Sequence, residues 1–129
     1  KMDDKCRSFL KENGINADAA LEFMMGSERM FEKYLYRFTE DPTFSELFSS
    51  IKEQRREEAR IAAHSLKSIT ATLGFTELNR LVKAQELAFK EGRWDDGVAM
   101  EPDVQAEYQR ICKIIEQAKE NSQKYSGFA

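Results

Sequence analysis

The sequence predicts an all-α protein, an up-and-down antiparallel four-helix bundle with short additional helices at its N-terminus. Three observations lead to this fold class. Apolar residues recur three and four positions apart over most of the 129 residues, and glycine, asparagine or proline separates many of the periodic segments. No segment shows the alternation of polar and apolar residues that is typical of a half-buried strand. The length favours one domain, residues 1–129, over two.

The first two segments are short. Cys6, Phe9 and Leu10 lie on an approximate helical stripe, and Gly14 is suited to end that helix. Asn16 is a favourable N-cap for the second segment. The apolar residues of that segment take positions i, i+3, i+4 and i+7: Ala17, Ala20, Leu21 and Met24. The sequence therefore predicts two short helices before the longer ones.

The third and fourth segments have clear start and stop signals. Ser27 caps the third, and Pro42 ends it, because the residue before a proline is disfavoured in the α conformation. Thr43 and Glu46 have the spacing of a capping box and start the fourth. The predicted apolar stripes are Phe31, Tyr34, Leu35 and Phe38 in the third helix, and Phe44, Leu47, Phe48 and Ile51 in the fourth.

The fifth segment carries His64, the only histidine of the chain. An unbroken helix from the fourth segment would place Arg55 and Glu58 in the core, so we expect a bend over residues 52–56. The predicted apolar face of the fifth helix is Ala59, Ala62, Leu66, Ile69 and Leu73. At 100° per residue, His64 lies roughly 200° from Ala62 and therefore faces away from the core.

The sixth segment follows Gly74 and stops at Gly92. Its predicted stripe is Leu78, Leu81, Val82 and Phe89. Gln85 falls on the same stripe, either as a buried amide with a hydrogen-bond partner or as a boundary residue near the site. Residues 94–100 are predicted to form a loop in which Trp94 folds back over the end of the bundle.

The last segment begins a long helix. Pro102 suits its first turn, and Glu101 and Asp103 complement the helix dipole. Its apolar seam alternates four and three positions and is coiled-coil-like: Val104, Tyr108, Ile111, Ile115 and Ala118. The helix is expected to end near Gln123.

Composition restricts the possible partners. A net charge of −3 argues against a general nucleic-acid binder, because phosphate neutralisation needs a concentrated cationic face. Cys6 and Cys112 are too few for a disulfide framework, and we expect two reduced thiols, with Cys112 buried. No apolar run approaches the roughly 18 residues of a membrane span, and no signal segment opens the chain. These features favour a cytoplasmic protein that does not bind membranes.

His64 is the candidate functional residue. Arg60, Lys67 and Ser68 stand at i−4, i+3 and i+4 from it, so both cations are expected near the imidazole. The chain has no nucleophile elbow and no glycine-rich phosphate loop, and no Glu-x-x-His pair projects inward. A catalytic triad, ATP binding and a metal site are therefore disfavoured.

Two interpretations of His64 remain. It is either an ordinary surface histidine or a nucleophile that attacks a phosphoryl group. The second is chemically reasonable because a neutral imidazole has a free nitrogen lone pair near pH 7. Nearby cations favour that neutral form and balance the incoming negative charge.

The run Ala-His-Ser-Leu-Lys at residues 63–67, followed by Leu73-Gly74 and Leu78, resembles the signature of histidine-containing phosphotransfer domains of two-component phosphorelays. The resemblance extends over residues 14–123, in the helix order and in the opening pattern that starts at Gly14. It implies a four-helix bundle in which an exposed histidine, His64, accepts a phosphoryl group from the aspartyl phosphate of a receiver domain and passes it to another receiver.

The resemblance also implies roles for the neighbouring residues. Lys67 matches the lysine thought to stabilise the phosphoryl group, and the predicted docking face for the receiver is Arg60, Ile61, Ser65, Ser68 and Ala71. Where this chain has Ser68 the family usually has glycine, and where it has Gln85 the family often has a hydrophobic residue.

The implied partners are response-regulator receiver domains and a hybrid sensor histidine kinase. The chain would act as a monomer without a cofactor of its own, because the receiver supplies the magnesium ion and the aspartate. The alternative is a helical adaptor or dimerisation module that uses the seam from Val104 to Ala118 or the phenylalanine-rich stripes and transfers no phosphate.

Overall fold

The computed structural model describes residues 2–126, which form eight helices and no strand. The predicted all-α class is therefore confirmed. The helices are α1 (Asp4–Glu12), α2 (Ala17–Phe23), α3 (Glu28–Phe38), α4 (Thr43–Lys52), α5 (Arg56–Thr72), α6 (Thr76–Lys90), α7 (Trp94–Ala99) and α8 (Glu101–Ser126). Within residues 2–126, none of these helices combines the length and apolar composition that a bilayer span requires.

The predicted caps of α2 and α3 are confirmed, but that of α4 is not. Asn16 and Ser27 each accept a hydrogen bond from the backbone amide three residues ahead. Thr43 is the first residue of α4 and not its cap, so the capping box with Glu46 is wrong. The carboxylate of Asp41 reaches over the intervening proline and accepts from both the amide of Thr43, at 2.8 Å, and its hydroxyl, at 2.6 Å.

The expected bend between the fourth and fifth segments is confirmed. Helix α4 ends at Lys52 and α5 begins at Arg56. Between them Gln54 adopts a positive φ of 57°, and the Arg55 amide donates to the carbonyl of Ser50 at 2.8 Å. Arg55 hydrogen-bonds to Glu58 at the surface, so neither charge enters the core. Because the helix is interrupted here, the core-facing stripe of α5 does not have to continue the helical phase of the stripe of α4.

Residues 94–99 form helix α7, so the predicted loop is wrong. The Trp94 ring does fold back, with its centroid 4.9 Å from that of Phe89. Gly97 lies inside α7 directly against Phe89, and a Cβ there would collide with the phenyl ring. The glycine therefore marks a close approach of two helices and not a turn. Gln85 is a fully buried amide whose Nε2 donates to the Gly97 carbonyl at 3.0 Å.

Helix α5 packs against α2, α4 and α6, while α8 packs against α1, α3, α6 and α7. Most of the predicted core positions are buried, but Tyr34 is exposed. Several others are only half-buried: Cys6, Phe9, Phe48, Ile69, Leu81, Tyr108 and Cys112. Ala63 and Thr70, which periodicity alone did not select, are buried on α5. The buried face of α5 is thus wider than predicted, because α6 covers its flank.

Helices α5 and α6 run antiparallel. Asn79 of α6 donates to the Lys67 carbonyl at 2.8 Å, and residues further along α6 meet earlier residues of α5. The turn between the two helices contains Gly74 at a φ of +76°, where a Cβ would collide with the backbone of Asn16. The Asn16 amide donates to the Gly74 carbonyl at 2.7 Å. This contact fixes the turn. It thereby also fixes how far α6 is shifted along its axis relative to α5, and so which side chains of the two helices face each other.

Candidate functional site

His64 lies in the middle of α5, with 60% of its side chain exposed to solvent. The residue before it, Ala63, is buried, as is Leu66 two positions later. The backbone of α5 is therefore held against the core on both sides of the histidine, while the ring itself faces outward. This orientation agrees with the prediction from helical periodicity.

The main feature that the sequence pattern did not reveal is Glu86 of α6. Its Oε1 lies 2.9 Å from Nδ1 of His64, and only 6% of its side chain is exposed. Val82, Glu86 and Phe89 are spaced four and three apart, so Glu86 falls on the inward stripe of α6 beside Gln85. A glutamate on the inward stripe of a predicted helix is the sequence signal that could have identified Glu86 as a site residue, because an acid is rarely buried without a partner.

Lys67 shares the same carboxylate oxygen. Its Nζ lies 3.0 Å from Glu86 Oε1, so a cation and an imidazole converge on one buried acid. The hydrogen bond from His64 is the first cause that lowers the pKa of the Glu86 carboxyl, and the hydrogen bond and charge of Lys67 lower that pKa further. Together these outweigh the opposing effect of burial. Glu86 therefore stays ionised at neutral pH.

The ionised carboxylate determines which ring nitrogen of His64 carries the proton. A carboxylate can only accept hydrogen bonds, so Nδ1 must donate. In the neutral imidazole the other nitrogen, Nε2, then holds a free lone pair. The ring is anchored through one nitrogen and, being mostly exposed, can present the other to a reactant. The arrangement is that of an oriented nucleophile or base.

Arg60, the second cation expected beside the imidazole, is engaged elsewhere. Its Nη2 lies 2.6 Å from Oε1 of Glu57, which is on the same helix and largely exposed. The hydrogen bond from this guanidinium lowers the pKa of the Glu57 carboxyl. Helical spacing predicts the correct face for Arg60, but its hydrogen bonds go to Glu57 and not to the ring of His64.

The other predicted docking residues are accessible. Ile61, Ser68 and Ala71 are exposed, and Ser65 is partly exposed. Ile61 and Ser65 line a hollow of about 430 Å³ between α4 and α5. Helical phase places Ile61 and Ser65 on the side of α5 that faces away from α6.

An apolar groove of about 520 Å³ begins one turn after His64. It lies between the C-terminal half of α5 and the pair α2 and α3, with Ser68 and Thr72 on one wall. Phe23 and Tyr34 form part of the other wall and are 66% and 44% exposed. Exposed aromatic rings in a groove are typical of a surface that contacts a partner.

Residues 2–126 contain no cluster of three or more histidine, cysteine, aspartate or glutamate side chains that is arranged to hold a metal ion. The side chains that meet at the described site are His64, Lys67 and Glu86. Comparisons of the chain with family models, with curated proteins and with solved structures find no match.

Proposed function

We propose that the chain is a histidine phosphotransfer protein, in which His64 takes a phosphoryl group from the aspartyl phosphate of a receiver domain and passes it to another receiver. The hydrogen bond between His64 Nδ1 and Glu86 Oε1 carries this proposal. It leaves the lone pair on Nε2 of an exposed ring, which is the state that a nucleophilic histidine needs.

The proposal includes a four-helix bundle made of α4, α5, α6 and α8. Consecutive members of this set pack against each other, with the short α7 between α6 and α8. Tyr108 of α8 stacks on Phe44 of α4 with ring centroids 4.1 Å apart, which supports a closed arrangement. Helices α1 to α3 would then be the short additional helices at the N-terminal side.

In the proposed reaction, Nε2 of His64 attacks the phosphorus atom in line with the aspartyl oxygen of the receiver. The bond from Nε2 to phosphorus forms, the bond from that oxygen to phosphorus breaks, and the electron pair leaves with the aspartate. Lys67 supplies positive charge beside the transferring group. The receiver supplies the magnesium ion and the aspartate, so the chain is a shuttle and not a kinase.

The proposed docking face for the receiver surrounds His64 on the side of α5 away from α6. It includes the predicted residues Ile61, Ser65 and Ser68, and it continues into the apolar groove with Phe23 and Tyr34. A docking face that mixes polar and apolar side chains suits a transient complex, because such a surface is stable in water when the partner has dissociated. The upstream phosphate source would be a hybrid sensor histidine kinase.

The test uses a receiver domain from the same organism, phosphorylated at its aspartate with labelled acetyl phosphate. We expect wild-type protein to take up the label in an acid-labile, alkali-stable form, as phosphohistidine does. His64→Gln should take up no label while keeping its helical circular dichroism spectrum, since the side chain is outside the core. Equal labelling of His64→Gln and wild type would refute the assignment.

The alternative function, a helical adaptor or dimerisation module, keeps little of either candidate surface. Phe31, Phe38 and Phe44 of the phenylalanine-rich stripes are buried in the single chain. Val104, Ile111 and Ala118 of the α8 seam are buried in the core of the single chain. The groove with Phe23 and Tyr34 remains available to it. Light scattering after size exclusion separates the two functions, because a stable dimer that covers His64 would favour the adaptor.

A further inference from the structure

We infer that the negative charge of Glu86, beyond its hydrogen bond, keeps the phosphorylated ring of His64 protonated at Nδ1 and thereby keeps the phosphoryl group transferable. This inference rests on the proposed phosphotransfer function. It makes Glu86 a positioning residue of the site, because it acts through the imidazole and does not touch the phosphoryl group.

The proton on Nδ1 stays on the ring of His64 throughout the reaction. Before transfer, the neutral ring carries this proton and donates it to Glu86 at 2.9 Å. When Nε2 bonds to phosphorus, the ring keeps the proton and becomes an imidazolium. When the onward receiver attacks, the bond from Nε2 to phosphorus breaks and its electron pair returns to Nε2. The leaving group is then a neutral imidazole, with Nδ1 still protonated.

Loss of the Nδ1 proton would change the leaving group. A phosphorylated ring without that proton must leave as an imidazolate anion, which is a far poorer leaving group than neutral imidazole. The protonated fraction of the phosphorylated ring therefore sets the rate of onward transfer and of hydrolysis. A carboxylate in contact with Nδ1 raises that fraction, because it stabilises the positive ring.

Among the charged groups around the ring of His64, Glu86 has the largest effect on the protonation of the phosphorylated ring. Lys67 of α5 is positively charged and opposes protonation, but it also bonds to Glu86 and helps to keep that acid ionised. Arg60 of α5 is hydrogen-bonded to the exposed carboxylate of Glu57 and not to the ring or to Glu86. On α6, the cations one turn before and one turn after Glu86 are both exposed: Lys83 and Lys90. The carboxylate, in direct contact with Nδ1 and almost fully buried, is the least screened of these charges.

The key variant is Glu86→Gln. An amide oxygen at the same place can still accept from Nδ1, so the ring orientation and tautomer are retained while the charge is removed. Glu86→Asp is the conservative partner, which retains the charge at a slightly greater distance. Glu77→Gln is the matched control, since it removes the same charge from the same helix at an exposed position where the glutamate pairs with Arg80.

The experiment needs no receiver. Each protein is phosphorylated with potassium phosphoramidate, and the decay of phosphohistidine is followed by phosphorus NMR between pH 5 and pH 10. Because the chain has one histidine, the ring nitrogen signals in nitrogen-15 NMR report His64 alone and give its protonation directly. The measured quantity is the midpoint of the pH profile, at which half of the low-pH decay rate is lost.

We expect the midpoint of Glu86→Gln to lie about one to three pH units below that of wild type. The decay rates should converge at low pH. At high pH they should differ by about tenfold for each pH unit that separates the two midpoints. Glu86→Asp should restore most of the wild-type midpoint, and Glu77→Gln should match wild type. Such a result supports a role of the charge and not of the fold.

Coincident pH profiles for wild type and Glu86→Gln would overturn the inference, and so would a wild-type ring that phosphoramidate fails to label. The first outcome leaves the proposed function intact if a receiver still transfers phosphate to His64. Conversely, a shifted profile without any transfer from receivers would retain the inference about ring chemistry and refute the proposed partner. The two failures are therefore distinguishable.

Discussion

Two ion pairs flank His64 on α5, and their cations are buried to the same degree. The side chains of Arg60 and Lys67 are each 34% exposed. Their acids differ, since Glu57 is 70% exposed on the same helix and Glu86 is 6% exposed on the neighbouring helix. Spacing along one helix identified both cations, but the burial of the acid decides which pair is coupled to the imidazole.

The difference has an energetic basis. An exposed pair one turn apart on a helix gains little, about 0.3–0.5 kcal/mol, because water and salt screen both charges. A buried carboxylate has given up its water and depends on its protein partners, so removing a partner affects it strongly. Lys67 and His64 are those partners for Glu86, whereas Glu57 retains its solvent.

The largest expected difference between the pairs is in stability. We expect Glu86→Ala to lower the free energy of unfolding by about 2 kcal/mol, since it removes two hydrogen bonds to a charged acceptor and leaves a gap between α5 and α6. Glu57→Ala should leave it nearly unchanged, because this carboxylate is exposed to solvent. Urea unfolding monitored by circular dichroism measures both. Equal losses for the two variants would show that burial of the acid does not distinguish the pairs.

The second difference is in the rate of phosphotransfer under the proposed function. Lys67→Ala should lower the rate of uptake from a phosphorylated receiver by about tenfold or more, because charge stabilisation next to the transferring group is lost. Arg60→Ala should lower it by less than about threefold, since its guanidinium is hydrogen-bonded to Glu57 and not to the carboxylate that contacts His64. Quench-flow labelling at saturating receiver gives both rates. A larger loss for Arg60→Ala than for Lys67→Ala would reverse the proposed roles.

Periodicity and cap residues predicted the features that depend on one helix at a time. These include the outward orientation of His64, the caps of α2 and α3, and the break before α5. Each follows from the spacing of apolar residues or from the chemistry of a single side chain. Such signals are local, so neighbouring helices do not change them.

The features that the sequence pattern did not reveal depend on how two helices meet. Glu86 reaches His64 only because the turn at Gly74, fixed by Asn16, sets the height of α6 against α5. The close contact that favours a glycine at position 97 is with the ring of Phe89 on another helix, so the local pattern predicts a loop over residues 94–100 where the structure has α7. Periodicity shows which face of each helix is turned toward the core. It does not show how that helix is rotated about its axis, or shifted along it, relative to a neighbouring helix.

The smallest expected difference between the pairs is in their response to acid. The pKa of Glu86 is lowered from its ordinary value of 4.5, first by the hydrogen bond from His64, so the fold favours the ionised form. Its stabilising contribution is therefore complete above about pH 4.5 and is lost as the pH falls through the lower pKa of the folded state. The difference in unfolding free energy between wild type and Glu86→Gln should shrink between pH 5 and pH 3.

The exposed pair provides the control for that measurement. The pKa of Glu57 is also lowered, by the hydrogen bond from Arg60, so the sign of its acid dependence is the same. Because Glu57 is exposed, salt should abolish the difference between wild type and Glu57→Gln, while the difference for Glu86→Gln should persist in 1 M sodium chloride, where the screening length is about 3 Å. A Glu86 contribution that grows in acid, or one that salt removes as readily as that of Glu57, would contradict the assignment of Glu86 as a buried, ionised partner of His64.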